Sequence, residues 1–180
     1  MRPWFLCAAL LLASCALDDA RPMPDGMKWF PPTGWVQYTQ TASETVRPDG
    51  AASYCSPEEA DSTCLSLLDA INRQVNRSHK YVPEIAGRDE WRVMGEGDHG
   101  DCEDFALTKR ARLLEAGWPA DNLRLGICRT PGGEHHGVLT ADAAGTTWAL
   151  DVRSRRLERW DHVDCEWTGR QAPDGSWRKI

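Results

Sequence analysis

A surplus of basic charge is missing from this chain. Its 180 residues carry 21 Lys and Arg against 27 Asp and Glu, a formal net charge of −6, which speaks against an electrostatic footprint for nucleic acid. Long hydrophobic runs are missing too: the apolar stretch from Phe5 to Ala13 is far too short to cross a bilayer as a permanent helix. Neither C-x-x-C nor H-x-x-x-H spacing occurs, so nothing supports a zinc centre. The adjacent His135 and His136 fall in a strand-like run, where neighbours point to opposite faces and cannot easily share an ion. Repeats and low-complexity tracts are absent. What remains is one domain's length of chain, 41% hydrophobic and 27% charged, the composition of a soluble globular protein.

The opening residues, MRPWFLCAALLLASCALDDARP, have the form of an export signal, with Arg2 as a short positive region ahead of the apolar stretch. Two cleavage readings stand. LLASC resembles a bacterial lipoprotein box, which makes Cys15 a lipidated N-terminus, whereas SCA before Leu17 also serves as a small-residue cleavage site. The expected organisation is a signal over 1–16, a proline-bearing linker or arm over 17–53, the main domain over 54–165 and a C-terminal tail over 166–180. A periplasmic or exported location follows, with membrane anchoring if Cys15 is lipidated.

Export governs how the seven cysteines are read. Cys7 and Cys15 belong to the signal, which leaves Cys55, Cys64, Cys102, Cys128 and Cys165, an odd number in an oxidising compartment. At least one stays unpaired or pairs outside the chain. Cys55 and Cys64 close the short loop CSPEEADSTC and are expected to be bonded. Cys128, in a strand-like run with Leu125 and Ile127, reads as an inert buried thiol, and Cys165 either pairs with it or hangs near the C-terminus.

Leu65, Leu68, Ile71 and Val75 recur at helical spacing between Pro57 and about Tyr81, and SPEE is a helix-start pattern with Ser56 as cap. A loop with Trp91 runs to Gly100. A second helix begins near Asp101, with Phe105, Ala106, Lys109, Leu113 and Leu114 as its inward stripe and Gly117 as its stop. Three strand-like runs follow, NLRLGICR, HHGVLTA and TTWALDV, the last two joined by the turn DAAG; LERWDHV is a further candidate. Helices followed by antiparallel strands give an α+β layer arrangement.

The helix start GDCEDFA puts Cys102 among Asp101, Glu103 and Asp104. Unsatisfied backbone N–H groups and the positive end of the helix dipole favour a thiolate there, and the same N–H groups can receive an oxyanion. The carboxylates oppose ionisation, so the thiol needs an imidazolium partner, or the carboxylates a cation. A hairpin turn symmetric about Ala143 and Ala144 sets His136 directly across from Asp151 on one sheet face and turns His135 away. Cys102, His136 and Asp151 then form a nucleophile, a base and its orienter. Acidic residues in a first helical turn are also favoured for the dipole alone. Trp91 reads as a core or cleft residue, His99 as a rim group, and His79 and His162 as surface groups.

GDCEDFALTKRARLLEAGWP, then HGVL, then WALDV, with CSPEEADSTC and INRQVNRSHKY upstream, resembles the bacterial transglutaminase-like cysteine proteinases over about residues 54–155. The resemblance implies a papain-like α+β fold, with the nucleophile helix packed on an antiparallel sheet. It also implies a periplasmic cysteine peptidase with Cys102 as nucleophile, His136 as base and Asp151 as third member, and Ca²⁺ held by Asp101 and Glu103, with Asp104 close by. The family's better-known members release large cell-surface adhesins and so bear on biofilm control. A protein substrate, an inhibitory membrane receptor and a monomeric enzyme are implied in the same way. This chain departs from the family pattern at Val152, where Asn is usual, at Gly137, where Ala is usual, and in a shorter segment from Trp91 to Cys102. Two alternatives remain open from the residues: another acyl transfer, such as peptidoglycan amide hydrolysis or transglutamination, and a non-enzymatic, lipid-anchored binding module.

Overall fold

The computed structural model describes residues 21–24, 62–83 and 91–180. The expected signal, most of the expected linker, the proposed helix cap at Ser56 and Cys55 lie outside the described residues. Cys64 is disulfide-bonded.

Helix α1 spans Ser62–Ser78. It buries Leu68, Asn72 and Val75 at one-turn and two-turn spacing, the stripe an amphipathic helix turns toward a core. A two-residue strand β1, Lys80–Tyr81, follows and pairs in parallel with β2, His99–Gly100. This contact brings the end of α1 against the residues that lead into helix α2, Cys102–Glu115.

Both ends of α2 are legible in local chemistry. Asp101 occupies the N-cap position, and Glu103 and Asp104 fill the first turn, where negative charge suits the helix dipole. At the other end Gly117 takes a positive φ of 85°. The N–H of Trp118 donates to Leu113 and that of Gly117 to Leu114, the paired bonds that close a helix at a left-handed glycine.

Six strands form one antiparallel sheet: β3 Leu123–Arg129, β4 His135–Ala143, β5 Thr146–Leu150, β6 Glu158–Arg159, β7 Glu166–Gln171 and β8 Trp177–Lys179, in the order β6-β5-β4-β3-β7-β8. One face packs Leu125, Ile127, Leu139, Ala141 and Leu150 against Leu68, Leu107 and Leu113 of the helices. The other carries Cys128, Val138, Ala149 and Val163, together with Asp142, which is ion-paired to Arg124 and Arg170. The α+β expectation holds. Among the described residues no helix is long and apolar enough to cross a membrane.

Three expectations change. The segment 166–180, read as a tail, supplies β7 and β8, and β7 pairs directly with β3. LERWDHV yields only the two residues of β6 before a short 3₁₀ turn at Trp160–His162. Cys128 is no free thiol: it is bonded to Cys165, the alternative the sequence left open.

The β4–β5 turn is also displaced. Ala143 pairs with Thr146, so the two-residue loop is Ala144-Gly145, with φ of 52° and 68°. Positive φ at both central positions matches the right-handed twist of the strands, and glycine supplies it most readily. The centre therefore lies one residue later than expected, and the register differs by two. Since side chains alternate with period two, a shift of two leaves every residue on its expected face.

Candidate active site

Cys102 opens α2 with 7% of its surface exposed and is the free cysteine among the described residues. Its Sγ donates to Glu103 Oε2 at 2.9 Å and accepts the backbone N–H of Gly137 at 3.2 Å. Burial pushes the thiol pKa well above its ordinary value, the charge and hydrogen bond of Glu103 push it further, and the Gly137 amide opposes them. In this arrangement the sulfur keeps its proton and Glu103 holds it.

His136 and Asp151 are brought together. The imidazole Nε2 lies 2.8 Å from Asp151 Oδ1, with both side chains buried. They are not cross-strand partners, as the sequence reading had them: Leu150 pairs with Leu139, and Asp151 follows the strand end. Preserved parity is what lets them meet. With Nε2 bonded to the carboxylate, Nδ1 is the ring nitrogen available for proton transfer. His135 is exposed and paired with Arg129 in the ladder.

Sequence reasoning missed what surrounds Asp151. Arg153 donates from its backbone N to Oδ1 at 2.8 Å and from Nε and Nη2 to Oδ2 at 3.0 and 2.8 Å. Burial alone would raise the Asp151 carboxyl, but the bonds from His136 and Arg153 outweigh it and hold the group far below the usual carboxylate range. Asn76 of α1 donates to the backbone oxygens of Asp151 and Ser154 at 3.0 and 2.9 Å. Lys109, placed in the inward stripe of α2, is fully buried and donates from Nζ to Leu150 O at 2.8 Å. A charged residue at an apolar-periodic position was the available signal.

The three carboxylates expected at a cation are placed differently from one another. Asp104 Oδ1 accepts the backbone N–H of Arg92 at 2.8 Å, Glu103 holds the thiol, and Asp101 stands at the N-cap without a side-chain cap hydrogen bond. Their oxygens suit a hard cation. As arranged, however, no group of three or more His, Cys, Asp or Glu side chains among the described residues converges to hold one.

Trp91 is buried in the main core. Tyr81 lies 46% exposed beside the site; burial, then the charges of Cys102, Asp101 and Glu103, push its phenol up to about 12.

A thiol at the head of a helix, laid on an antiparallel sheet whose hairpin holds an imidazole and a carboxylate together, is the layout of a transglutaminase-like cysteine peptidase. The chain belongs to the bacterial transglutaminase-like cysteine proteinase family (BTLCP), whose model matches residues 26–180. That match takes in both C-terminal strands and begins inside the segment read as a linker. Among solved structures, calcium-bound LapG from Legionella pneumophila is similar at 23% identity and a TM-score of 0.56, covering 67% of this chain and 71% of LapG. A second LapG structure from the same organism gives 23% identity and 0.54, covering 63% and 67%. These likenesses show a shared fold. No curated protein sequence is similar enough to count as a match.

Proposed function

We propose that the chain is an exported peptidase in which Cys102, His136 and Asp151 act as a catalytic triad on a protein substrate of the cell surface. The observation that carries this reading is the buried 2.8 Å contact of His136 Nε2 with Asp151, on the strand whose next residue, Gly137, touches the Cys102 sulfur. The thiol turns from Glu103 and gives its proton to His136 Nδ1. The sulfur then bonds to the scissile carbonyl carbon, and the carbonyl oxygen takes the negative charge, facing the N–H groups at the start of α2. His136 returns the proton to the departing amine as the C–N bond breaks. Water attacks the resulting thioester with His136 as base, freeing the acid and the thiol. Asp151, fixed by Arg153, holds the ring in the tautomer with its lone pair at Nδ1.

Calcium belongs to this proposal as a stabilising ion and takes part in no step. The oxygen chemistry of Asp101 and its neighbours suits it, and the similar LapG structure is calcium-bound. Asp101 and Glu103 flank the nucleophile, one at the N-cap and one in the first turn of α2. The proposed location is the periplasm, reached through the signal over 1–16, with lipidation of Cys15 as one form of the mature chain. A large surface adhesin is the proposed substrate, on the family resemblance.

The test is release of a large surface protein from washed cells lacking this chain, on adding the purified protein or its Cys102→Ala form. Release by the wild type alone supports the reading. Equal release by both, or release by neither, removes it.

A further inference from the structure

Lys109 is the one buried cation on the nucleophile helix, two turns from Cys102. An ammonium group without surface exposure is costly, and an apolar side chain would suit the surrounding core better. Its contacts are few and specific. Nζ donates to Leu150 O at 2.8 Å and lies 6.0 Å from the centre of the Phe105 ring; the charge acting on it is that of Asp151. We infer that Lys109 is a positioning residue for Asp151, gripping the peptide group before it and so setting the direction in which the carboxylate meets His136. The inference rests on the triad reading above.

Leu150 O and the Asp151 N–H belong to one rigid peptide plane. Fixing that oxygen from α2 fixes the plane from which the Asp151 side chain departs. The peptide group on the other side of Asp151 is held as well, since Asn76 of α1 donates to Asp151 O at 3.0 Å. Each helix thus pins one side of the same residue, just beyond the end of β5, where the sheet ladder no longer constrains it. Lys109 also ties the cysteine-bearing helix directly to the carboxylate-bearing hairpin.

The test uses the full chain with Lys109→Met, Asp151→Asn and the double variant. Three readouts are the melting temperature, the rate of mass-mapped iodoacetamide alkylation at Cys102 at neutral pH, and the downfield proton resonance of the His136–Asp151 hydrogen bond. With Lys109→Met, melting holds or rises, alkylation slows about tenfold, and the resonance shifts. The double variant is no slower than Asp151→Asn, because the two act in series. Wild-type alkylation by Lys109→Met, losses that add in the double variant, or melting that falls with the rate overturns the proposal. So does failure to fold with Met and also with Leu, since the lysine would then be a structural requirement. If Asp151→Asn itself alkylates at the wild-type rate, it is the triad reading that fails.

Discussion

Gly137 sends its backbone N–H to the sulfur of Cys102 at 3.2 Å. The strand that carries His136 therefore touches the nucleophile through its main chain, one residue past the imidazole. A Cβ built there would meet the backbone of Glu103 at 3.5 Å, which is ordinary contact. At Gly100 a Cβ would overlap Asp104 at 2.3 to 2.9 Å. Gly137→Ala should therefore keep full alkylation at Cys102 and an unchanged melting temperature. Gly100→Ala should push Asp104 off Arg92 and cost about 1–3 kcal/mol in urea unfolding.

The two adjacent histidines should separate cleanly. His136→Ala should lower turnover by about a thousandfold or more, while His135→Ala, whose side chain is exposed on the opposite face, should stay within about twofold. Equal losses from two folded variants would mean that Asp151 does not choose between them.

Lys109 gives a pH dependence whose sign can be worked out. Burial pushes its pKa down to about 7, partly offset by the charge of Asp151, whereas an unfolded lysine titrates near about 10.4. Between those values the unfolded chain binds the extra proton, so stability rises with pH in that window, and the cost of the buried charge is complete below it. In urea unfolding, Lys109→Met should be most favoured relative to wild type at neutral pH and lose that advantage by about pH 10. A difference that stays flat would show that the amine titrates in the folded protein as it does in the unfolded chain.

Glu103 holds the thiol in its protonated form through charge and a hydrogen bond. Glu103→Gln removes the charge, so alkylation of Cys102 at neutral pH should become faster, on the order of several-fold. A slower reaction would mean that Glu103 takes the thiol proton in place of His136.

Chelation tests the ion. EDTA should lower both turnover and melting temperature, since a ligand bound to the folded state alone adds stability. Asp101→Ala should copy the effect and become insensitive to the chelator, and Mg²⁺ should rescue poorly because it demands tighter octahedral geometry. If EDTA changes neither quantity, the acidic residues are serving the helix start only.

Much of this was legible in the sequence because short-range chemistry decides it. Asp101, the first-turn carboxylates and Gly117 mark both ends of α2, and the apolar runs of β3, β4 and β5 declare a sheet. The pairing of His136 with Asp151 survived a register error because only parity mattered. The error itself came from Ala144, a residue with a Cβ that takes a left-handed conformation usually given to glycine. β7 escaped notice because EWTGRQ has no apolar run: Gly169 and Arg170 are buried, the latter through an ion pair with Asp142 that only the fold supplies. Asn76 was invisible for the same reason, since its partners are main-chain oxygens of Asp151 and Ser154, far along the chain.

Cys128 stands directly across the β3–β4 ladder from His136 and is bonded to Cys165, just ahead of β7. The same short stretch of sheet therefore needs one pair of sulfurs oxidised while the sulfur of Cys102 stays reduced. A purification buffer rich in dithiothreitol would protect the nucleophile while working against the clasp behind the imidazole, and material made in a reducing cytosol would begin with that clasp open. Inactivity of such a preparation would then report on how it was handled. Expression through an oxidising compartment, followed by brief exposure to a mild monothiol, suits both requirements of the molecule.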